Sequence, residues 1–262
     1  MRLPLFPFVV LDTETTGLLP HVHRVIECAV TRFENGEKVA EYDSLYRIEG
    51  EIPPHVQALT HIRPGDLAGK PAFREEAQRL QSLLAGAVVI GHNIPFDLSM
   101  IAGEGIELEN PSWIDTAMMA SLLFPELESW SLSYLSTVLQ LSHEPKHRAL
   151  GDVHATAALL MKEWERLSEF TPALLREVQH IAERGPEGYA LLFSSAKAKG
   201  KRRPIWLPTK PLPPPPLPPL LLRSGIHLSL YSLFFPRPSR RTSSKISSKH
   251  SHRKAMPEHG LQ

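Results

Sequence analysis

Short apolar runs alternate with stretches of helical periodicity along the first 196 residues. Apolar runs bounded by turn residues predict strands over residues 6–11, 25–33, 38–48, 87–91 and 113–115. Apolar spacing and proline-initiated turns predict helices over residues 52–60, 71–84, 98–104, 116–124, 131–139, 150–167 and 172–184. Asn35-Gly36 predicts a hairpin between the second and third strands. This order predicts an α/β fold with a mixed five-stranded sheet flanked by helices, antiparallel at the hairpin and parallel elsewhere.

The longest predicted helix has a clear apolar stripe, which consists of Val153, Ala157, Leu160, Trp164 and Leu167. We expect Trp113 and Trp164 to lie in the core, and residues 61–70 to form a loop. Cys28 is the only cysteine, so it forms no intrachain disulfide, and we expect it to be a small buried residue of the second strand. A single cysteine favours a reducing, cytoplasmic location.

The composition changes abruptly near residue 197. Residues 197–262 hold 14 of the 29 Lys and Arg residues and one of the 28 acidic residues, a net charge of +13, whereas residues 1–196 carry −12. Twelve of the 25 prolines also fall after residue 197. We predict that residues 197–262 form a disordered basic tail rich in Pro and Ser. This tail either tethers the protein to nucleic acid or is a solvated extension without a function.

No targeting or membrane segment is evident from the pattern. No basic N-terminal stretch precedes a long apolar run, so we predict no signal peptide. No stretch of about 18 uncharged apolar residues occurs, so we predict no membrane span.

Two acids end the first predicted strand. Residues i and i+2 of a strand point to the same face, so Asp12 and Glu14 project together. Neighbouring carboxylates repel each other, and a divalent cation between them removes that cost. The alternative is an exposed strand end with two solvated acids.

Further acids and a histidine follow the later strands or begin later helices. Asp97 comes shortly after the fourth strand, and His147 and Asp152 stand where the longest helix begins. At one end of the sheet, four carboxylates would carry more charge than one Mg²⁺ neutralises, so we expect two metal ions. A nearby histidine is suited to take the proton of an attacking water. Taken singly, Asp152 could be only a helix cap and His147 only an exposed loop residue.

Three segments resemble the motifs of a known enzyme family. Residues 11–17 (Leu-Asp-Thr-Glu-Thr-Thr-Gly), 91–97 (Gly-His-Asn-Ile-Pro-Phe-Asp) and 147–152 (His-Arg-Ala-Leu-Gly-Asp) are similar to the three motifs of the DnaQ-like DEDDh exonucleases. That family includes the proofreading subunit of the bacterial replicative polymerase, exonuclease X and ribonuclease T. The resemblance covers roughly residues 5–168. It implies a DEDDh exonuclease domain at 1–168, followed by a helical extension at 169–196 and the tail at 197–262.

The resemblance implies a ribonuclease H-like fold and 3′→5′ hydrolysis of single-stranded ends, with release of nucleoside 5′-monophosphates. Asp12, Glu14, Asp97 and Asp152 would bind two Mg²⁺ or Mn²⁺ ions, and His147 would be the general base. The backbone around Thr15 would receive the 3′-hydroxyl, and His92 and Asn93 would line the nucleotide pocket. Asp115 would lie near the metals without binding them.

Several alternatives remain open at this stage. An active exonuclease would act either on DNA, in proofreading or repair, or on RNA ends. The alternative from another class is an inactive module that binds nucleic acid or a polymerase. A DNA polymerase or a sliding clamp as partner is a further hypothesis, because residues 227–231 (His-Leu-Ser-Leu-Tyr) faintly resemble clamp-binding peptides but lack their Gln. We expect most of the remaining histidines to lie at the surface: His21, His23, His55, His61, His143 and His154.

Overall fold

The structure is a computed structural model, and it describes residues 4–106, 108 and 111–197. The predictions for the basic tail and for the clamp-like peptide fall on residues 198–262 and lie outside the described residues.

Five strands form one mixed sheet. They are β1 (Phe8–Thr15), β2 (Val25–Glu34), β3 (Glu37–Leu45), β4 (Val88–Gly91) and β5 (Trp113–Asp115). The sheet order is β3-β2-β1-β4-β5, with β4 parallel to β1 and β5 parallel to β4. The predicted mixed five-stranded sheet is therefore confirmed. The antiparallel part extends further than predicted, because β1 also runs antiparallel to β2.

The β2–β3 hairpin turns at the predicted dipeptide. Asn35 and Gly36 have φ values of 52° and 80°. A two-residue turn that matches the right-handed twist of its strands needs φ above zero at both positions, which Asn and Gly adopt at low cost. The turn thereby fixes the register in which Glu34 pairs with Glu37.

Helices cover both faces of the sheet. Those within the described residues are α1 (Pro54–Thr60), α2 (Pro64–Leu67), α3 (Ala77–Leu84), α4 (Ile94–Gly103), α5 (Thr116–Leu123), α6 (Leu132–Val138), α7 (Ala149–Ser168), α8 (Pro172–Ala182) and α9 (Glu187–Ser195), with a 3-10 helix at Phe73–Glu76. None of these helices is both long enough and apolar enough to cross a bilayer.

Alternate residues of β1 enter two different cores. Phe8 and Val10 pack in the cluster that contains the buried face of α7. Val9 and Leu11 pack in a second cluster, on the other face, with residues of α3 and α4. Both faces of β1 are therefore apolar up to Leu11. Beyond Leu11, one face carries Asp12 and Glu14 and the other carries Thr13, because side chains alternate along a strand.

Several helix boundaries differ from the prediction. α4 begins at Ile94 and not at 98, because Pro95 in the first turn needs no hydrogen-bond donor and has a helical φ. Part of the predicted loop 61–70 forms α2, and the predicted helix 71–84 divides into the 3-10 helix and α3. α9 is not among the predicted helices, although it falls in the predicted helical extension.

The buried face of α7 is rotated relative to the predicted stripe. Val153, Leu160 and Leu167 are buried as expected, whereas Trp164 is only partly buried. Glu163, a polar residue in the sequence pattern, is completely buried, and neither of its carboxyl oxygens has a hydrogen-bond partner among the described residues. Burial raises the pKa of Glu163 well above its usual value, with a further contribution from Asp115.

The last helix packs against the edge strand β5. A Cβ atom on Gly188 would lie 2.5 Å from the carbonyl oxygen of Trp113, so α9 approaches β5 closely because it has glycine there. The Tyr189 ring meets Trp113 edge to face, with 6.0 Å between the ring centroids. The Tyr189 hydroxyl accepts a hydrogen bond of 3.0 Å from the Asp115 backbone N–H.

Candidate active site

Asp12 and Glu14 continue the face of β1 that packs on α7. Phe8 and Val10 occupy this face within the core, so the next two positions with the same orientation are the two acids. Both are half-buried at the end of the strand. Every second side chain of β1 lies on this face, so the face is apolar within the core and becomes acidic at the end of the strand.

The third acid comes from the first turn of α7. Asp152 lies at this helix end, and α7 packs along β1 through Val153 and its other buried residues. One oxygen each of Asp12, Glu14 and Asp152 lie within 4.8 Å of one another. Within the part of the chain that the structure describes, no Lys or Arg forms an ion pair with any of the three.

This arrangement disfavours the ionised forms of the acids. Burial raises the pKa of Asp12 well above its usual value, and the charges of Asp97 and Asp152 add to the shift. Burial, followed by the charge of Asp152, raises the pKa of Glu14 to about 8. Burial raises the pKa of Asp97 to about 7, although two hydrogen bonds from Thr13 favour its ionised form. The protein thus holds acids together in a form that a cation would stabilise.

Asp97 reaches the site from the opposite face of the sheet. It lies in the first turn of α4, and its Oδ1 accepts hydrogen bonds from the backbone N–H of Thr13, 2.9 Å, and from the Thr13 hydroxyl, 2.7 Å. Thr13 points away from Asp12 and Glu14, as the alternation of the strand requires. Asp97 is therefore not a member of the 4.8 Å group, although its charge acts on Asp12.

Two histidines flank Asp152, and only one of them is predicted as a site residue. The backbone N–H of His147 donates to Asp152 Oδ1 over 3.2 Å, while its imidazole forms no hydrogen bond with the described residues. His143 Nε2 lies 2.7 Å from the same Oδ1. The structure thus brings His147 beside the acidic group through its backbone.

His143 is the exception among the histidines that we expect mostly at the surface. Only 3% of its side chain is accessible, because the loop before α7 folds it inward onto Asp152. His21, His55, His61 and His154 are exposed as predicted, and His23 is half-buried. No sequence signal marks His143, because nine residues separate it from Asp152 and the intervening loop has no periodicity.

Glu27 is a further buried acid at the site that the prediction omits. It lies on β2 directly opposite Glu14, and it is 1% exposed. Arg148 holds it with three contacts: Nη2 to Oε1 at 2.6 Å, and Nε to Oε1 and Oε2 at 3.0 and 3.1 Å. The Ala149 backbone N–H donates to Oε2 over 2.9 Å at the start of α7. A charged residue inside the otherwise apolar run 25–30 is the signal that could have identified Glu27.

The residues predicted to bind the nucleotide lie around the end of β4. His92 is half-buried with Nδ1 3.0 Å from the Thr116 hydroxyl, and burial lowers its pKa to about 4, so it is neutral at pH 7. Asn93 is exposed and has a φ of 72°. The Asn93 backbone N–H donates to Asp115 Oδ1, which also caps α5. Asp115 is outside the 4.8 Å group, as predicted. The binding role of His92 and Asn93 stays a prediction.

The β1–β2 connection begins with a local side-chain contact. The Thr15 hydroxyl donates to the carbonyl oxygen of Gly17 over 2.7 Å. A cavity of about 600 Å³ opens beside the next residue, Thr16. Its wall has charges of both signs, which include Arg24 and Glu104, 3.8 Å apart. This cavity is therefore not a strongly basic channel.

The donor set fits a hard divalent cation. Asp12, Glu14 and Asp152 offer only carboxylate oxygens, which Mg²⁺ and Mn²⁺ prefer. The raised pKa values of Asp12 and Glu14 indicate that the protein's own groups do not balance the negative charge of the ionised acids. A divalent cation would supply the missing positive charge.

Comparison with known proteins gives the family. The RNase_T family model, described as exonuclease, matches residues 9–160, which is more than half of the chain. The chain belongs to this exonuclease family. The predicted resemblance to DnaQ-like exonucleases is thereby confirmed, as is the prediction of a hydrolytic exonuclease domain.

Relatives of the exonuclease domain agree with this assignment. The chain is 30% identical over 181 residues to the 3′-5′ exonuclease DinG of Bacillus subtilis. The aligned region covers 67% of this chain and 19% of DinG. The chain therefore spans about one fifth of the length of that relative.

Solved structures confirm the fold. Exonuclease X in complex with 5′-overhanging duplex DNA matches with a TM-score of 0.52 at 23% identity, covering 71% of this chain and 99% of the other. Exonuclease I of E. coli in complex with a dT13 oligonucleotide matches with a TM-score of 0.56 at 20% identity, covering 71% and 45%. The predicted ribonuclease H-like fold of the exonuclease domain is correct.

Proposed function

We propose that this protein is a metal-dependent 3′→5′ exonuclease that hydrolyses the terminal phosphodiester bond of single-stranded DNA and releases nucleoside 5′-monophosphates. The observation that carries the proposal is the group of three carboxylates, Asp12, Glu14 and Asp152, that converge within 4.8 Å and form no ion pair with a Lys or Arg among the described residues. A binding module has no need to hold three acids in a repulsive arrangement. A phosphoryl-transfer enzyme needs them for its metal ions.

Asp12, Glu14, Asp97 and Asp152 would hold two ions, Mg²⁺ or Mn²⁺. When bound, these ions would stabilise the negative charge on the phosphoryl oxygens. The protein fixes two of the acids through one oxygen each, since Thr13 binds Asp97 Oδ1 and two donors bind Asp152 Oδ1. The hydrogen bonds described for Asp97 and Asp152 thus leave the second oxygen of each available as a ligand atom.

His147 would take a proton from the attacking water at a ring nitrogen. Its imidazole forms no hydrogen bond with the described residues, whereas its backbone is anchored to Asp152. A general base needs this combination of a fixed position and a free ring nitrogen. The positive φ of 55° at His147 places this residue at a turn immediately before α7.

Thr15, His92 and Asn93 would position the terminal nucleotide. His92 is neutral at pH 7 because burial lowers its pKa, so it would act through hydrogen bonding or packing and not as a cation. Exonuclease I and exonuclease X are the structural neighbours, and both have been solved with DNA. DNA is therefore the substrate that we favour over RNA. A cytoplasmic location and a polymerase or clamp partner stay predictions.

The test is degradation of 5′-labelled single-stranded DNA and RNA of the same sequence by the full chain, with Mg²⁺, Mn²⁺ or EDTA. We expect a metal-dependent ladder that shortens from the 3′ end, with DNA degraded faster. Asp12→Ala should abolish the ladder. Glu37→Ala, an exposed acid in the hairpin at the far end of the sheet, should leave it unchanged.

Each alternative has its own result. Faster degradation of RNA would make the protein an exoribonuclease. A folded protein that binds the oligonucleotides but degrades neither would contradict the proposal and favour a binding module.

A further inference from the structure

His143 is a buried histidine that contacts one of the acids of the proposed site. Its side chain is 3% exposed, and its Nε2 lies 2.7 Å from Asp152 Oδ1. Its other ring nitrogen, Nδ1, is also buried and has no hydrogen-bond partner in the part of the chain that the structure describes. The Asp152 contact is therefore the hydrogen bond that the described structure provides for this ring.

The chemistry of the pair sets the direction of the hydrogen bond. An ionised carboxylate only accepts, so Nε2 carries the hydrogen and donates to Asp152. In the neutral ring, Nδ1 then carries no hydrogen and can only accept. Burying an acceptor without a hydrogen-bond partner costs less free energy than burying an N–H group without one. The ring position and its tautomer are thus both fixed by Asp152.

Tight packing holds this loop against the helix that carries Asp152. A Cβ atom on Gly151 would lie 2.0 Å from the carbonyl oxygen of Pro145, so the loop rests directly on the first turn of α7. The His147 N–H also donates to Asp152 Oδ1, over 3.2 Å. Two donors from one loop therefore converge on a single carboxylate oxygen.

A second acid of the site is held in the same way. Asp97 Oδ1 accepts two hydrogen bonds from Thr13. In both acids the described hydrogen bonds fall on Oδ1, which fixes the rotation of the carboxylate and leaves Oδ2 for another ligand. Partners of this kind, one step removed from the metal, orient the ligands that bind it.

We propose that His143 is a positioning residue that donates from Nε2 to Asp152 Oδ1 and so presents Asp152 Oδ2 to a divalent cation. The inference rests on the proposed function, since it concerns the same metal ions. His143 touches neither substrate nor metal in this arrangement. Its effect on the reaction passes entirely through Asp152.

The test compares two amides that differ in reach. The Gln side-chain nitrogen lies about where His Nε2 lies, whereas the Asn nitrogen lies about where Nδ1 lies. We expect His143→Asn and His143→Leu to weaken Mn²⁺ binding to the full chain by about 10–100-fold, and His143→Gln to restore most of the loss. Isothermal titration calorimetry with Mn²⁺ alone measures the affinity.

Kinetics on single-stranded DNA provide the second readout. We expect kcat to fall in the Asn and Leu variants at a fixed Mn²⁺ concentration, with little change in the KM for DNA, because His143 does not contact the substrate. His55→Leu, an exposed histidine of α1, is the matched control and should change neither quantity.

Equal Mn²⁺ affinity in the wild type and in the Asn and Leu variants would overturn the inference and leave the exonuclease proposal standing, provided the wild type degrades DNA. Equal affinity in the Gln and Asn variants would also overturn it, because a donor at the Nε2 position would then be irrelevant. A wild type that neither binds Mn²⁺ nor degrades DNA would remove both proposals. A loss of thermal stability without a loss of affinity would assign His143 a purely structural role.

Discussion

Glu14 and Glu27 face each other across β1 and β2, yet the protein treats the two carboxylates in opposite ways. Glu27 is almost fully buried and is neutralised by the Arg148 guanidinium and the Ala149 N–H. Glu14 is half-buried, forms no ion pair with a Lys or Arg in the described part of the chain and shares its surroundings with Asp12 and Asp152. The negative charge of Glu27 on β2 is thus balanced by groups of the protein, whereas that of Glu14 on β1 is not.

The difference separates a structural acid from a functional one. Glu27 links β2 to the start of α7 and needs nothing from outside the protein. Glu14 and Asp12 have raised pKa values, so either a proton or a bound cation has to balance their charge, which is typical of a site built for a cation. Burial by itself does not distinguish the two cases. The partner of each carboxylate does.

The largest effect is expected when one of the acids without an ion-pair partner is removed. We expect Asp12→Asn, which keeps the size of the side chain, to lower the rate of DNA degradation by on the order of 10³-fold, because a ligand of the catalytic ions is lost. In EDTA the same variant should unfold at a higher urea concentration than the wild type, because folding no longer has to bury or protonate a carboxylate at this position. Glu37→Gln, at an exposed acid of the hairpin, should change neither property. Loss of activity together with loss of stability would contradict this interpretation.

Removing the partner of the satisfied acid should have the opposite effect on stability. Arg148→Met leaves Glu27 buried without its cation, and we expect a loss of about 2–4 kcal/mol in the free energy of unfolding. The value lies below the full range for buried pairs because 34% of the Arg148 side chain is exposed. Urea unfolding with Arg47→Met as control measures it, since the Arg47–Glu75 pair is at the surface and should matter little. Equal effects in the two variants would show that Glu27 does not depend on Arg148.

Much of this contrast is readable from the sequence, and the remainder has a physical cause. The i, i+2 spacing of Asp12 and Glu14 gives their common face, and the helical pattern after Asp152 places that acid at a helix start. The contact of His143 depends on the path of an aperiodic loop, which no local pattern encodes. The predicted α7 stripe shares Val153, Leu160 and Leu167 with the buried face, but the buried position between the last two is Glu163 and not the neighbouring Trp164, which lies about 100° further round the helix.

The pH dependence of stability sharpens the comparison without a mutation. In the metal-free protein Asp97 and Glu14 have pKa values raised to about 7 and about 8. Between about pH 4 and pH 8 the folded state therefore holds more protons than the unfolded state, so its stability falls as the pH rises. We expect a loss of about 1–3 kcal/mol between pH 5.5 and pH 8.5 in EDTA.

Saturating Mg²⁺ should flatten this dependence, because cation binding favours the ionised acids. Urea unfolding at pH 5.5, 7 and 8.5, with EDTA or with Mg²⁺, is the measurement. Glu14→Gln should reduce the slope in EDTA. An unchanged slope in that variant would mean that the pKa of Glu14 is not raised in the folded protein.

The smallest expected effect concerns Glu163, a third kind of acid that has neither an internal partner nor a place in the site. Burial raises its pKa well above the usual value, so the folded protein retains this proton to a higher pH than the unfolded chain does. We expect Glu163→Met, of similar length, to raise the free energy of unfolding by about 1–2 kcal/mol at pH 8 and by less at pH 5. Exonuclease activity should not change. A destabilised variant would indicate that the carboxyl group forms a compensating interaction.

The packing of α9 on β5 also bears on where a working fragment of this chain can end. β5 is an outer strand of the sheet, and an uncovered outer strand is a template for pairing between molecules. Gly188 and Tyr189 seat α9 against this strand. A recombinant fragment cut at residue 168, after the last exonuclease motif, would have every proposed catalytic residue and still expose β5 to aggregation. Soluble fragments for crystallisation or assay should therefore extend through Ser195.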